Sequence, residues 1–245
     1  HEEENADSLI TAIKTGSHSK RWQKAFELSN ELNRKKDSVR SDSLMREIIS
    51  VLGDFKRYDA KTRGYMALAL GYFDNKESEQ ALKTALVDPS EDVLLYVLWS
   101  LGKLKAKDSE SQVRLFLKSD SAELRKTSAY VLGVIEDPAS ISGLRGLLAD
   151  PIVDVQWNAA LSLARLGDSS GLEVLLRMIQ RSALDSQVAG DEAKEAVMLN
   201  AVRGLVLLNH PKSFEALQAL SREDKSLKVR QAALEALEYQ THGGH

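Results

Sequence analysis

Apolar residues recur along the middle of the chain at a spacing of 31 residues. The pattern is clearest at one position, here named the marker leucine, which is occupied by Leu70, Leu101, Leu132 and Leu163. Around each marker, apolar residues lie three or four positions apart, which predicts an amphipathic helix. A period of about 20 to 50 residues is typical of stacked repeats in which each repeat contacts only its neighbours. The pattern therefore predicts an all-α solenoid of antiparallel helix pairs.

Each repeat divides into two predicted helices. The first spans about fifteen residues around the marker, and the second spans about ten residues with apolar positions twelve and sixteen residues after the marker. These second-helix positions hold Leu82, Val113, Leu144 and Leu175, then Leu86, Leu117, Leu148 and Ile179. Gly71, Gly102 and Gly133 each follow a marker. Because glycine inside a helix costs roughly 0.5 to 1 kcal/mol relative to alanine, these glycines predict close approach of a neighbouring helix.

The repeats predict a single elongated domain over residues 1–245. We interpret residues 1–58 as atypical capping helices, residues 59–179 as regular repeats and residues 195–240 as the C-terminal repeats. Between the last two regions, eleven additional residues shift the register and produce a polar insert at residues 180–194. Insertions in repeat proteins fall in loops on one face, which is often the binding face. Residues 241–245 are expected to form a disordered tail.

The composition limits the classes of protein to which the chain can belong. It is 43% hydrophobic and 28% charged, as in folded proteins, and no apolar run reaches the roughly 18 to 20 residues of a membrane span. The absence of cysteine excludes disulfides and thiolate metal sites, and it fits the cytoplasm as well as the periplasm. The chain starts at His1 rather than at Met, which indicates that a preceding segment was removed, a signal peptide being one candidate. The compartment, cytoplasmic or periplasmic and secreted, stays open.

The stretch at residues 150–167, DPIVDVQWNAALSLARLG, is the clearest copy of the repeat. It resembles the HEAT repeat family, in the short bacterial form described as HEAT-like or PBS-lyase-type. The residues that carry the resemblance are Asp150-Pro151, Val155, Ala159-Ala160, Leu163 and Leu166-Gly167-Asp168, with partial copies at Leu132-Gly133, Lys228-Val229-Arg230 and Ala232-Ala233-Leu234. The resemblance implies a right-handed superhelix of about six or seven helix pairs, whose second helices line a concave surface that binds proteins.

The resemblance also implies a ladder of Arg–Asp pairs along the repeats. In such repeats an arginine follows the valine position of the first helix and pairs with an aspartate near the turn. Arg63, Arg125 and Arg230 match that arginine, whereas the corresponding positions in the other repeats hold Leu94, Gln156 and Met198. We therefore expect an interrupted ladder.

One column of the second helices, thirteen residues after the marker, is cationic. It holds Lys83, Arg114 and Arg145. If the second helices line the binding face, as the resemblance implies, these cations bind an acidic segment of a partner protein through charge-assisted hydrogen bonds. The alternative is a solvated face neutralised by neighbouring glutamates. A lateral contact with the partner is expected from the insert, through Gln180, Asp185, Gln187 and Asp191.

Other functions receive less support from the sequence. Residues 14–63 hold 13 basic and 7 acidic side chains, which suits nucleic acid or an anionic membrane, but residues 64–245 hold 20 basic and 25 acidic side chains, which disfavours a phosphate-backbone groove. Trp22 and Phe26 within the basic stretch share an apolar stripe with Leu32, so we interpret both as core. No catalytic or metal-binding motif is present, and no cofactor is predicted. The length and repeat type resemble phycobilin lyase subunits, which leaves a cofactor chaperone or lyase subunit as the alternative to a non-enzymatic protein-binding scaffold.

Overall fold

A computed structural model describes residues 5–35 and 40–242 of the chain. Within these two stretches the regular structure is entirely helical, which confirms the all-α prediction. The helices are α1 Ala6–Thr15, α2 His18–Lys35, α3 Asp42–Gly53, α4 Ala60–Leu70, α5 Lys76–Ala85, α6 Glu91–Lys103, α7 Glu110–Leu115, α8 Ala122–Val134, α9 Ile141–Leu147, α10 Val153–Arg165, α11 Leu172–Met178, α12 Arg181–Leu184, α13 Asp191–Leu208, α14 Pro211–Glu223 and α15 Leu227–His242. Short 3-10 turns precede α7, α9 and α11.

Several helices begin where the sequence supplies a side chain that caps the first turn. Asn5, Ser41, Asp59 and Ser121 each precede a helix, and each accepts a hydrogen bond from the backbone amide three residues later. Such a bond satisfies one of the amides that a helix start leaves without a partner. Helix α14 begins with Pro211, which has no N–H to lose and whose fixed φ suits the first helical position.

The repeats form helix pairs, as the 31-residue spacing predicts. First helices α4, α6, α8 and α10 carry the marker leucines, all 0% exposed, and second helices α5, α7, α9 and α11 follow them. Neighbouring first helices pack side by side, α4 on α6 and α8 on α10. Helix α2 packs on α4, and α3 packs on α4 and α5, so α2 and α3 take the places of a first and a second helix. Helices α13 and α15 take first-helix places at the other end, and α14 takes a second-helix place.

The chain divides into two compact units, with the boundary between Leu115 and Phe116. Unit 1 contains α1 to α7 and unit 2 contains α8 to α15. The capping helices belong to the core of unit 1, because Ile13 of α1, Leu28 of α2 and Ile48 of α3 are 0% exposed. The single domain over residues 1–245 stays a prediction.

Two of the glycines that follow a marker lie where first helices meet. A Cβ atom at Gly71, the C-cap residue of α4, would stand 2.8 Å from the Oγ of Ser100 of α6, and Ser100 donates a hydrogen bond of 2.8 Å to the Ala67 carbonyl. A Cβ atom at Gly133 of α8 would stand 2.8 Å from the Cα of Ser162 of α10. Close helix approach is therefore confirmed at both glycines, because any larger side chain would push the helices apart.

The insert at residues 180–194 is partly helical. It contains the four-residue helix α12 and a turn that ends at Gly190, whose φ of 81° is a conformation that favours glycine. Its last four residues form the first turn of α13. Of the expected tail, Thr241 and His242 continue α15, and residues 243–245 lie outside the described residues.

Candidate partner-binding surfaces

An aspartate at the end of a second helix holds the link to the next repeat. Asp88 accepts hydrogen bonds from Nε and Nη2 of Arg63, both at 2.9 Å. Asp150 accepts the same two bonds from Arg125, at 2.7 and 3.1 Å, and these bonds lower the pKa of the Asp150 carboxyl. Both carboxylates also accept a bond of 2.9 Å from the backbone amide two residues later. Each Arg–Asp pair thus ties the start of a first helix to the link after its second helix.

The ladder of pairs is interrupted, as the sequence predicts. Gln156 stands in the arginine column of α10, and its Nε2 donates to the Asp150 carbonyl at 2.7 Å. Arg125 makes the equivalent bond, from Nη1 to the Ser119 carbonyl at 2.8 Å. Glutamine therefore keeps the contact with the preceding link, but its amide is too short to reach the following link as well.

The insert supplies one missing arginine from an unexpected position. Asp224 follows α14, and Met198 stands in the arginine column of the same repeat. Arg181 of the insert instead donates Nε and Nη2 to the Asp224 carboxylate, at 2.9 and 2.8 Å. Burial raises the pKa of Asp224, but the hydrogen bonds from Arg181 and from the Ser226 amide outweigh burial and hold this pKa below its usual value. The sequence analysis did not predict this pair. The additional residues of the insert shift the arginine and the aspartate out of the regular 31-residue register.

The three cations of the predicted row have different surroundings. Lys83 on α5 and Arg114 on α7 are half-buried residues of unit 1. Arg145 on α9 belongs to unit 2, where its Nε donates to Asp168 at 3.4 Å and its Nη2 forms a second bond to the same carboxylate. This pairing raises the pKa of Arg145 and, against the effect of burial, lowers the pKa of Asp168. Arg145 therefore stabilises the turn between α10 and α11, and its contact with a partner stays a prediction.

The four predicted contact residues of the insert are exposed, and several of them form ion pairs or hydrogen bonds. Asp185 pairs with Lys194 at 2.5 Å, and Asp191 pairs with Lys225 at 2.7 Å. The Gln187 side chain donates to the Ser186 hydroxyl at 3.2 Å, and Gln180 precedes α12 as its N-cap residue. Partner binding by these four predicted residues stays a prediction.

An apolar groove of about 830 Å³ lies between the second helices α3 and α5 of unit 1. We name it the α3–α5 groove. Its walls are formed mainly by small and apolar residues: Ile49, Leu52, Gly53, Phe55, Ala81, Ala85 and Val87. Phe55 is 58% exposed and Val87 is 84% exposed. Glu77 at the edge pairs with Arg46 at 3.3 Å, so a charge near the groove is neutralised within the unit. The sequence analysis interpreted residues 1–58 only as capping helices and did not predict that part of α3 lines an open surface.

A second groove lies in unit 2 between residues 179–182, which directly follow α11, and helix α14. We name it the α11–α14 groove, and it measures about 590 Å³. Its lining includes the side chains of Arg181, Glu223 and Asp224. The Arg181 guanidinium lies 3.5 Å from Asp191 and 3.8 Å from Glu195, in addition to its pair with Asp224. The lining of this groove therefore combines a network of ion pairs with apolar residues, which include Ile179, Ala219 and Leu220.

The basic N-terminal stretch is largely engaged within unit 1. Arg34 and Lys35 pair with Glu31, at 3.0 and 2.6 Å. The interpretation of Phe26 as a core residue is wrong, because Phe26 is 45% exposed. Its ring lies 5.3 Å from that of Tyr65, on a different face of α2 from the buried Leu28.

Clusters of metal ligands and membrane-spanning helices are absent from the described residues. Within residues 5–35 and 40–242, no three His, Asp or Glu side chains gather closely enough to hold a metal ion. In the same two stretches, no helix is both long enough and apolar enough to cross a bilayer.

Comparisons with known proteins identify the repeats. Residues 111–189 match the family model of HEAT repeats. These residues run from α7 into the insert and include the best copy of the repeat in the sequence. None of the curated proteins matches the sequence.

Solved structures share the fold over nearly the whole chain. The complex of CpcE and CpcF of phycocyanin lyase from Nostoc sp. PCC7120 is 17% identical, with a TM-score of 0.65 over 97% of this chain and 95% of the other. YibA from Escherichia coli is 17% identical, with a TM-score of 0.55 over 96% and 93% of the two chains. An engineered protein is also 17% identical, with a TM-score of 0.53 over 98% and 69%. At such identity the likeness concerns the fold alone. The chain thus has an all-α fold of stacked helix pairs, and its residues 111–189 carry repeats of the HEAT family.

Proposed function

We propose that this chain is a non-enzymatic scaffold that binds a partner protein through the second helices of unit 1. The observation that carries the proposal is the α3–α5 groove, which is open and largely apolar. Contact of such surface with water is unfavourable, and folded proteins keep contiguous apolar patches mainly where another molecule covers them. The HEAT repeats at residues 111–189 support a binding role, because stacked repeats present extended faces to partners.

The walls of the groove indicate the chemistry of the partner. Ile49, Ala81 and Ala85 offer a partly exposed surface without charge, with Phe55 and Val87 exposed beside it. Burial of one aliphatic or aromatic side chain contributes about 1.5 to 3 kcal/mol, so a few anchors are enough for specific binding. We infer that the partner inserts a short apolar segment of polypeptide between α3 and α5, such as one face of an amphipathic helix.

Charged residues would extend the contact. Lys83 lies on α5 beside Thr84, which lines the groove, and Arg114 lies on α7 of the same unit. Carboxylates that flank the apolar segment of the partner would gain charge-assisted hydrogen bonds from these cations. Arg145, Asp185 and Asp191 already hold ion pairs, so a partner would have to exchange those bonds for its own. We expect a smaller contribution from these three residues.

The test compares two exposed aliphatic residues that receive the same charge. Val87→Glu places a carboxylate at the α3–α5 groove, and Leu227→Glu places one in unit 2, where Leu227 is 71% exposed. A partner is captured from a lysate of the native host with the wild-type protein, then purified and titrated calorimetrically against each protein. We expect Val87→Glu to weaken binding about tenfold or more and Leu227→Glu to bind as the wild type does. Circular dichroism of both variants should be native.

Two results would contradict the groove as the binding surface. Equal affinity of the partner for the wild type and Val87→Glu would exclude the α3–α5 groove. Loss of binding in Lys83→Glu, with full binding in Val87→Glu, would place the partner on the cationic residues alone.

A lyase-like role is the second candidate function. The likeness to the phycocyanin lyase complex of CpcE and CpcF favours it, together with the size of the α3–α5 groove, since small-molecule sites typically measure about 300 to 1,000 Å³. In that case the groove holds a bilin, and the chain acts together with a second subunit. Added bilin should then change its absorbance spectrum on binding, and Ala81→Trp, which fills the groove, should abolish the change. An unchanged spectrum with the wild-type protein would contradict this role.

A further inference from the structure

Helix α15 of unit 2 has an apolar stripe that faces solvent. The helix packs on α13 and α14, and its Val229 and Ala233 are 0% exposed. On a different side of the same helix, Leu227 is 71% exposed and Leu234 is 45% exposed. These two leucines are separated by about two helical turns, so they lie on one stripe. We name the stripe the α15 face.

The repeat pattern indicates that a helix normally covers this face. Leu234 stands three residues before Leu237, which is the counterpart of the marker leucine in α15. At the same position of α4, α6, α8, α10 and α13, five residues are at most 3% exposed: Ala67, Leu98, Ala129, Ala160 and Val202. Exposure at this position is therefore a property of α15 and not of the repeat.

The cover at this position comes from helices that follow in the chain. The Ala67 carbonyl of α4 accepts a hydrogen bond of 2.8 Å from Ser100 of the next first helix, α6. The backbone of Ala160 in α10 lies beside Gly171, which directly precedes the second helix α11, because a Cβ atom at Gly171 would stand 2.7 Å from the Cα of Ala160. The α15 face thus has the place of a surface that receives another helix.

The charges along the α15 face are complementary to themselves. Lys228 and Glu235 directly follow Leu227 and Leu234, so they have the same separation and lie along one edge of the face. Both side chains are exposed, and within residues 5–35 and 40–242 neither has an ion-pair partner. Glu235 accepts a hydrogen bond of 3.1 Å from the neutral amide of Gln231. The N-terminal part of this edge is therefore basic, and its C-terminal part is acidic.

We propose that the α15 face binds a second copy of this chain, as an antiparallel pair of α15 helices. A twofold axis places the same patch on both copies, so the patch has to be complementary to itself. In an antiparallel pair, a single register brings Leu227 beside Leu234 of the second copy and Lys228 beside Glu235 of the second copy. The symmetry forms each of these contacts twice.

The two kinds of contact have different roles in this dimer. The leucines of both copies leave water together, which drives association. The charges set the direction of the helices, because a parallel pair in register would place lysine beside lysine and glutamate beside glutamate. The α15 face lies in unit 2, so the dimer is independent of the proposed partner binding by unit 1.

Sedimentation velocity over a series of protein concentrations tests the dimer. We expect the wild-type protein to dimerise reversibly. Leu234→Glu places a carboxylate within the α15 face and should raise the dissociation constant of the dimer about tenfold or more. Leu207→Glu is the matched control, because Leu207 is 53% exposed but lies on α13, and this variant should dimerise as the wild type does. Circular dichroism of both variants should be native.

Exchange of the charges tests the antiparallel arrangement. Lys228→Glu and Glu235→Lys each place like charges at both contacts, so each variant should dimerise more weakly than the wild type. An equal mixture of the two variants restores opposite charges and should associate about as tightly as the wild type.

Three results would overturn the proposal. The first is a wild-type protein that is monomeric at every concentration of the series. The second is a Leu234→Glu variant that dimerises as tightly as the wild type. The third is a mixture of the charge variants that associates no better than either variant alone, which excludes the antiparallel pair.

Discussion

The α3–α5 groove of unit 1 and the α11–α14 groove of unit 2 each contain the aspartate of an Arg–Asp pair, but the arginine of the pair lines the second groove and is not among the lining residues of the first. In unit 1, Asp88 beside the groove receives its arginine, Arg63, from the first helix of its own repeat. In unit 2, Met198 replaces that arginine, and Arg181 reaches Asp224 from within the groove itself. The two grooves therefore differ in whether the guanidinium of the pair belongs to the groove lining.

The physical requirement is the same in both units. A buried carboxylate without a partner is strongly unfavourable, so an aspartate at the end of a second helix has to be paired. Where the first helix supplies the arginine, no guanidinium lines the groove, and we propose that a partner binds there. Where the insert supplies it, Arg181 and Asp224 form their ion pair within the groove lining.

The largest loss of stability is expected from replacing Arg181, the arginine that pairs with Asp224 in unit 2. Arg181→Met leaves the Asp224 carboxylate buried without its partner, since the Asp224 side chain is 5% exposed. We expect the free energy of unfolding to fall by about 3 kcal/mol, because a broken buried pair leaves an uncompensated charge. Urea denaturation measures the loss, and hydrogen exchange of the α14 amides locates it.

A second substitution tests whether the insert replaces the arginine of the first helix. Arg181→Met combined with Met198→Arg recreates the arrangement of Arg63 and Asp88 in unit 2. We expect this double variant to recover most of the lost stability. A double variant no more stable than Arg181→Met would contradict the equivalence of the two links.

The second largest loss of stability is expected in acid, which protonates the aspartates of the Arg–Asp pairs. The Asp150 and Asp224 pKa values are lowered in the folded chain, so both carboxylates stabilise it above their unfolded pKa near 3.8. This contribution is lost as the pH falls from about 3.8 through the lower folded values, at about 1.4 kcal/mol for each unit of pKa difference. Urea denaturation at a series of acidic pH values measures the loss. In Arg181→Met the slope should be shallower, and an unchanged slope would contradict the assigned partner of Asp224.

The smallest loss of stability is expected from breaking the exposed pair between Arg145 of α9 and Asp168. The Arg145 side chain is 55% exposed, so its pair with Asp168 is largely screened by water. We expect Arg145→Ala to change the free energy of unfolding far less than Arg181→Met does. Thermal denaturation beside Arg181→Met provides the comparison, and equal losses in the two variants would contradict the difference in burial.

The repeats could be predicted from the sequence because their signal is periodic. The marker leucines are all buried, and Gly71 and Gly133 lie at close helix contacts, as their spacing predicts. These positions depend on contacts between adjacent first helices, which recur every 31 residues and so appear as columns in the sequence.

The surfaces could be predicted less well, because they depend on contacts that do not repeat. Arg181 pairs with Asp224 across 43 residues, a separation that no column of the regular repeats contains. Ile49 and Leu52 carry the same apolar signal whether they line a core or an open groove. The predicted cations Lys83 and Arg114 stay untested as partner contacts.

Site-specific photo-crosslinking tests the central claim most directly. A photoreactive phenylalanine analogue replaces either Thr84, exposed in the α3–α5 groove, or Ala219, exposed in the α11–α14 groove. Each protein is irradiated with the purified partner, and the crosslinked peptides are identified by mass spectrometry. We predict a crosslink from position 84 to an apolar segment of the partner and none from position 219. A crosslink from position 219 alone, or from neither position while the partner is bound, would contradict the account.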